Sequence, residues 1–123
     1  MPFKHLLTSL IKSGQGVSCA IIADWEGEAV DWLSNRTEMD DLKIFGAHQG
    51  ILLSHFRRCL AINRFGAIEE IMIRTESVDW FVFPITTEYY LALCADSDRF
   101  SSIIRQSARQ CVEALRLEFE EEL

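Results

Sequence analysis

The chain of 123 residues carries a formal net charge of −7, and 49% of its residues are hydrophobic and 25% charged. This hydrophobic content is higher than that of a disordered chain, so a folded protein is expected. The length predicts a single domain over residues 1–123. Because 19 acidic residues outnumber 12 basic ones, nucleic acid and anionic lipid surfaces are disfavoured as partners.

The first predicted element is an amphipathic helix over residues 3–12, whose apolar side chains recur three and four positions apart before Gly14 ends it. Residues 17–24 form a near-continuous apolar run, which indicates a strand that is covered on both faces. A second run over residues 29–33 follows a turn that contains Gly27. Glycine can adopt the positive φ of a tight reversal, so the two runs predict a β-hairpin.

The longest predicted element is a helix over residues 41–64, with Asp40 as its N-cap. Its apolar residues recur at helical spacing and predict one buried face. On an adjacent face, small residues fall four positions apart at Gly46, Gly50 and Ser54. An interior glycine costs up to about 1 kcal/mol relative to alanine, so we expect another backbone to approach the helix closely there.

Three short runs of β-branched and aromatic residues follow, over residues 70–75, 78–83 and 89–94. The breaks between them are short, which predicts an antiparallel meander. The middle run is apolar at odd and even positions alike, so both faces of the sheet need cover. Residues 96–98 offer N-caps for a last helix, whose apolar residues continue to Phe119.

Together these elements predict an α/β (α+β) fold, with a five-stranded antiparallel sheet and the order helix-β-β-helix-β-β-β-helix. Gly14-Gln15-Gly16 lacks the features of a phosphate-binding loop and is better explained as a turn. His48 and His55 lie two helical turns apart with no further ligand nearby, so no metal site is predicted. No local catalytic signature is present, and the sequence predicts neither an enzyme nor a cofactor.

The four cysteines, Cys19, Cys59, Cys94 and Cys111, lie far apart in apolar surroundings and form no Cys-x-x-Cys pair. We therefore predict that they are reduced core residues. The sequence shows no signal-peptide pattern and no apolar run long enough to cross a bilayer. A cytoplasmic protein without membrane insertion is expected.

Several stretches carry a resemblance to a known family: Val17-Ser18-Cys19-Ala20-Ile21-Ile22-Ala23-Asp24 with Gly27 in the following turn, the helix over residues 41–64, Ala67-Ile68-Glu69-Glu70-Ile71-Met72-Ile73-Arg74-Thr75, and Tyr90-Leu91-Ala92-Leu93. Over residues 16–115 the chain resembles the Roadblock/dynein light chain family, whose fold is a profilin-like sandwich. The resemblance implies a homodimer that acts as a regulator or scaffold for a Ras-like small GTPase. It also implies that the protein, without an active site of its own, either modulates GTP hydrolysis or only holds its partner.

The same resemblance implies how two copies meet. The strand over residues 70–75 would pair with its symmetry mate at the sheet edge, with the axis near Met72 and with Glu70 opposite Arg74 of the second copy. The two long helices would pack across the same axis over their small residues. A dimer interface is therefore expected at Gly46, Gly50, Ser54, Glu70, Met72 and Arg74.

A partner-binding surface is expected on the long helix, away from its apolar stripe. The candidate residues are His48, His55, Arg57 and Arg58. They would contact an acidic surface of the GTPase, and an ordinary solvated helix face is the alternative.

A small-molecule sensory domain of the PAS or GAF type is a second interpretation, because such domains also combine antiparallel sheets with helices and often enclose a pocket. Trp25, Trp32 and Trp80 would then line the pocket. Aromatic residues on strands, however, more often belong to a core or an interface. A cavity for a ligand would favour the sensory interpretation.

Overall fold

The computed structural model describes residues 3–12, 16–24, 26, 28–34, 58, 66–96 and 101–122. The helices and strands within these ranges are α1 (Lys4–Lys12), β1 (Val17–Asp24), β2 (Ala29–Ser34), β3 (Ile71–Arg74), β4 (Val78–Pro84), β5 (Tyr89–Asp96) and α2 (Ser101–Glu122). Each was predicted, with small differences at the ends. The predicted helix over residues 41–64 lies outside the described residues, apart from Arg58, which is helical and exposed.

The strands form one antiparallel sheet in the order β2-β1-β5-β4-β3. β3, β4 and β5 follow one another as a meander, and β1 pairs with β5 on one side and with β2 on the other. The predicted α/β (α+β) fold with a five-stranded antiparallel sheet is therefore confirmed. Among the described strands, β2 and β3 form the two edges of the sheet.

Side-chain oxygens hold the turns between consecutive strands. Asp24 Oδ1 accepts hydrogen bonds from two backbone N–H groups of the β1–β2 turn, at 2.9 and 3.0 Å. In the β3–β4 turn, Thr75 Oγ1 accepts from the Val78 N–H at 3.0 Å. In the β4–β5 turn, Thr86 Oγ1 accepts from the Tyr89 N–H at 3.2 Å. These side chains satisfy turn donors that no ladder bond reaches.

The larger part of the core lies between the sheet and the two described helices. The strands contribute large apolar side chains from alternate positions, which share one face of the sheet. The residues buried here include Leu7 and Leu10 of α1, Ile104, Ala108 and Leu115 of α2, and Phe81, Phe83, Leu91 and Leu93 of the strands.

The opposite face of the sheet is also buried. Val82 lies on this face, whereas its neighbours Phe81 and Phe83 lie on the helix-covered face, as the sequence predicts for the middle run of the meander. The residues on this second face that are at most 4% exposed are Cys19, Ile21, Ala23, Val82, Tyr90, Ala92 and Cys94. The expectation that both faces of the sheet are covered is therefore confirmed.

Three of the four cysteines fall in the described part of the chain. Cys19, Cys94 and Cys111 are buried reduced cysteines, as predicted, and Cys59 lies outside the described residues. Burial raises the pKa of the Cys111 thiol from 9.0 to about 11, because the thiolate would lose its hydration. Cys111 therefore remains a protonated core residue at neutral pH.

Phe119, near the end of α2, joins three parts of the chain. Its ring stacks on Phe3, with 4.5 Å between the ring centroids, and on Tyr89, with 4.4 Å. Phe119 is 9% exposed. The residue that precedes α1 and the start of β5 are thus both attached to α2.

We expect Phe119→Ala to lower the free energy of unfolding by about 3–5 kcal/mol, because it removes both stacking contacts and leaves a cavity. Leu117→Ala is the matched control on the same helix: Leu117 is 56% exposed, so its loss should change stability by less than about 0.5 kcal/mol. Urea unfolding followed by circular dichroism measures both variants. Equal losses in the two would contradict the role given to Phe119.

Candidate functional site

The β3 edge of the sheet has peptide groups turned away from β4. The Thr75 N–H donates to the Val78 carbonyl at 2.9 Å, and peptide groups alternate in direction along an antiparallel strand. Ile73 and Ile71 therefore direct their peptide groups toward β4, whereas Met72 between them directs its N–H and C=O outward. No side chain in the described part of the chain is bonded to these two groups, so the middle of this edge is open to another strand.

Two arginines of α2 hold Glu70, which lies just before β3. Arg105 Nε lies 2.7 Å from Glu70 Oε2, and Arg109 Nη2 contacts Oε1. The Glu70 side chain is 17% exposed, whereas both arginines are roughly half exposed. The two arginines are one helical turn apart, so together they engage both carboxylate oxygens. This contact ties the segment before β3 to α2 and leaves one positive charge in excess.

Arg74 is paired with a buried carboxylate on the neighbouring strand. Arg74 Nε and Nη2 each lie 3.4 Å from an oxygen of Asp79, its direct partner in the β3–β4 ladder. Asp79 is 2% exposed. A buried carboxylate needs such a partner, because an unpaired charge in the interior is strongly destabilising.

The structure brings together the strand residues predicted for a dimer interface. Glu70, Met72 and Arg74 occupy alternate positions, so they lie on one face of the sheet at the β3 edge. The other predicted interface and partner-binding residues, with the exception of Arg58, lie outside the described residues: Gly46, Gly50, Ser54, His48, His55 and Arg57. Their roles remain predictions.

Sequence reasoning missed the part that α2 plays at this edge. Arg105 and Arg109 follow directly after the buried residues Ile104 and Ala108 and share their four-residue spacing. Two arginines that flank a buried stripe indicate side chains that run along the edge of the covered surface. Their partner, Glu70, is 35 and 39 positions earlier, which no local pattern reveals.

An open groove of about 660 Å³ runs between α2 and the segment before β3. Ligand sites for small molecules are enclosed, whereas this groove is largely open to solvent, so it gives the sensory interpretation no support. Trp32 and Trp80 pack partly buried on the second face of the sheet, and Trp25 lies outside the described residues. The residues that line the groove are Glu70, Ser102, Arg105, Gln106, Arg109, Gln110 and Glu113.

The described residues contain neither a cluster of metal ligands nor a helix that could span a membrane. No three histidine, cysteine, aspartate or glutamate side chains in that part of the chain lie close enough to hold a metal ion. Neither described helix combines the length and the apolar character that a bilayer-spanning helix requires.

The sequence matches no protein-family model and no curated protein. Solved structures, in contrast, superpose along nearly the whole chain. A Roadblock/LC7 domain from Streptomyces avermitilis is 17% identical; its superposition has a TM-score of 0.83 and covers 94% of this chain and 96% of that one. Myxococcus xanthus MglB is 9% identical, with a TM-score of 0.89 and coverage of 98% and 97%. An MglB with a tetrameric arrangement is 14% identical, with a TM-score of 0.88 and coverage of 99% and 90%.

Identities this low show a common fold, and the resemblance seen in the sequence is confirmed at that level. The chain has the fold of the Roadblock/LC7 domain.

Proposed function

We propose that the protein is a homodimeric module without an active site of its own that binds a Ras-like small GTPase, either as a regulator of its GTP hydrolysis or as a scaffold. The observation that carries the proposal is the open middle of the β3 edge in a chain with the Roadblock/LC7 fold. An MglB of the same fold has a tetrameric arrangement, which supports self-association as a use of this fold.

The direction of the Met72 peptide groups supports strand pairing across a two-fold axis at Met72. The Met72 N–H of one copy would donate to the Met72 carbonyl of the other, and the reverse bond would form by symmetry. Both outward groups would then be satisfied by one contact. The sheet would continue from one copy into the next, and α1 and α2 of both copies would lie on the same face.

The ion pairs within each chain reduce the contribution of charged side chains to the pairing register of the two β3 strands. With the axis at Met72, Glu70 of one copy lies opposite Arg74 of the second copy. Glu70, however, already has Arg105 and Arg109, and Arg74 already has Asp79. The cross-strand attraction is therefore shared among several partners, and backbone pairing is the main contribution at this edge. A reversal of the charge at Glu70 would disturb its own chain, so the edge is better tested through the backbone.

We expect Met72→Pro to abolish dimerisation while it leaves the fold intact. Proline lacks the outward N–H, and the ladder between β3 and β4 uses the peptide groups of Ile71 and Ile73, which remain. Size-exclusion chromatography with light scattering should show the wild-type protein at twice the chain mass and the variant at the chain mass.

Ser34→Pro is the matched control on the opposite edge. Ser34 pairs with Cys19 at a position where the peptide group faces away from β1, so proline there also removes an outward N–H. This variant should remain a dimer. A monomeric wild-type protein, or loss of the dimer in both variants, would contradict pairing through β3.

Binding of the GTPase is expected to depend on Arg57 and Arg58. The double reversal Arg57→Glu/Arg58→Glu should weaken binding to an acidic partner surface by tenfold or more, equivalent to about 1.4 kcal/mol, with little change in melting temperature. The GTPase is first recovered from the native host by affinity capture with the wild-type protein and identified by mass spectrometry. Its affinity is then measured by calorimetry with a GTP analogue bound.

Lys12→Glu provides the control for a charge reversal outside the candidate surface, because Lys12 is an exposed residue at the end of α1. It should bind like the wild-type protein. If the double reversal binds normally, Arg57 and Arg58 belong to an ordinary solvated surface. GTP hydrolysis measured with and without the module then separates a stimulating role from a purely scaffolding one.

A further inference from the structure

The β2 edge of the sheet also carries outward peptide groups, at Trp32. The Asp24 N–H donates to the Glu28 carbonyl across the turn at 3.0 Å, so alternate residues of β1 direct their peptide groups toward β2. Ile22 and its partner Asp31 therefore belong to a hydrogen-bonded pair. Trp32, the next residue, directs its N–H and C=O away from β1.

Two side chains of the same chain occupy both of these groups. Asp31 Oδ1 accepts the Trp32 N–H at 2.9 Å, and Lys4 Nζ donates to the Trp32 carbonyl at 2.6 Å. The same Lys4 Nζ lies 2.8 Å from Asp31 Oδ1 and 5.6 Å from the centre of the Trp32 ring. Lys4 belongs to the first turn of α1, so a helix reaches across to close the middle of the strand edge.

The two edges of the sheet thus differ at equivalent positions. At β3, the outward groups of Met72 have no bonded side chain in the described part of the chain. At β2, the outward groups of Trp32 are bonded to a carboxylate and an ammonium group. A charged lysine at a strand edge is a recognised means of preventing the addition of another strand, because pairing would bury the charge or displace it.

The burial of Asp31 in its ion pair with Lys4 is unfavourable to the stability of the fold. Asp31 is 4% exposed, and its second oxygen, Oδ2, is buried without a hydrogen-bond partner. A buried carboxylate with one unsatisfied oxygen is unfavourable compared with an apolar residue of similar size. A function in specificity accounts for the retention of this pair.

We propose that Lys4 and Asp31 form a clamp that closes the β2 edge against pairing with β2 of a second copy. The second copy is the occupant that fits, since both outward groups belong to one residue. A two-fold axis at Trp32 would join the N–H of each copy to the carbonyl of the other. With the proposed pairing through β3, an unclamped β2 edge would allow dimers to add to one another without limit, and the clamp ends assembly at two copies.

The test compares Lys4→Met with two controls. Lys4→Met keeps the aliphatic stem but removes the ammonium group that covers the Trp32 carbonyl. Lys12→Met removes the same charge from the other end of α1, and Lys4→Arg keeps a cation at the clamp. Light scattering at equal protein concentration should show at least a twofold increase in mass for Lys4→Met and the wild-type mass for both controls.

A second substitution establishes where the new contact forms. Ser34→Pro in the Lys4→Met background removes an outward N–H from the β2 edge and should return the mass to the wild-type value. If the mass stays high, association occurs elsewhere and the proposal is wrong. Because Asp31 still accepts the Trp32 N–H in Lys4→Met, the proposal is overturned when Lys4→Met/Asp31→Ala, which frees both groups, is folded and has the wild-type mass.

Circular dichroism monitors folding throughout, because Lys4→Met leaves Asp31 buried without its cation. Should this variant unfold, Lys4→Met/Asp31→Ala replaces it, since that pair of changes opens both groups of Trp32 and leaves no buried charge. A wild-type mass for this double variant contradicts the clamp. Each comparison is made relative to the wild-type mass, so a monomeric wild type would refute the proposed dimer while the clamp would still be tested.

Discussion

Two of the three interior strands of the sheet, β1 and β5, are buried on both faces along almost their whole length, and the rest of the chain is arranged to exclude water from them. Each Å² of apolar surface that they remove from water contributes about 25 cal/mol, which makes this burial the dominant favourable term. It also decides the order of the sheet. Strands buried on both faces along their length lie inside the sheet, whereas the less buried strands β2 and β3, which carry Asp31 and Arg74, form its edges.

Four ion pairs of the described residues lie at the two edges of the sheet. Lys4 and Asp31 lie at the β2 edge, Arg74 and Asp79 at the β3 edge, and Arg105 and Arg109 bind Glu70 beside β3. Two of the carboxylates are buried, and the loss of the cation from a buried pair typically costs about 3–5 kcal/mol. These pairs therefore do more than solubilise the surface. They attach α1 to one edge of the sheet and α2 to the other.

The sequence was sufficient to predict the strands and the described helices, because each depends on a local periodicity. The run from Val17 to Ala23 is apolar at every position except Ser18, and such a run predicts a strand that is covered on both faces. The clamp on Trp32 was not predictable in the same way. Lys4 contacts a carbonyl 28 positions later, and its partner Asp31 looks like any polar residue of an amphipathic strand. Contacts of this kind depend on which helix crosses which edge, and only the assembled fold determines that.

In the proposed dimer with its proposed clamp, one open edge and one closed edge together limit what the sheet can build. Two open edges would allow open-ended assembly of copies, and two closed edges would leave the protein monomeric. A single open edge pairs with itself across a two-fold axis that is perpendicular to the sheet, so α1 and α2 of both copies lie on one face. A partner that binds away from this axis meets two identical surfaces on the dimer. A partner that binds on the axis meets each residue twice, from opposite directions, and only one such partner fits. For the proposed GTPase scaffold, the position of the binding surface relative to Met72 therefore decides whether a dimer holds one GTPase or two.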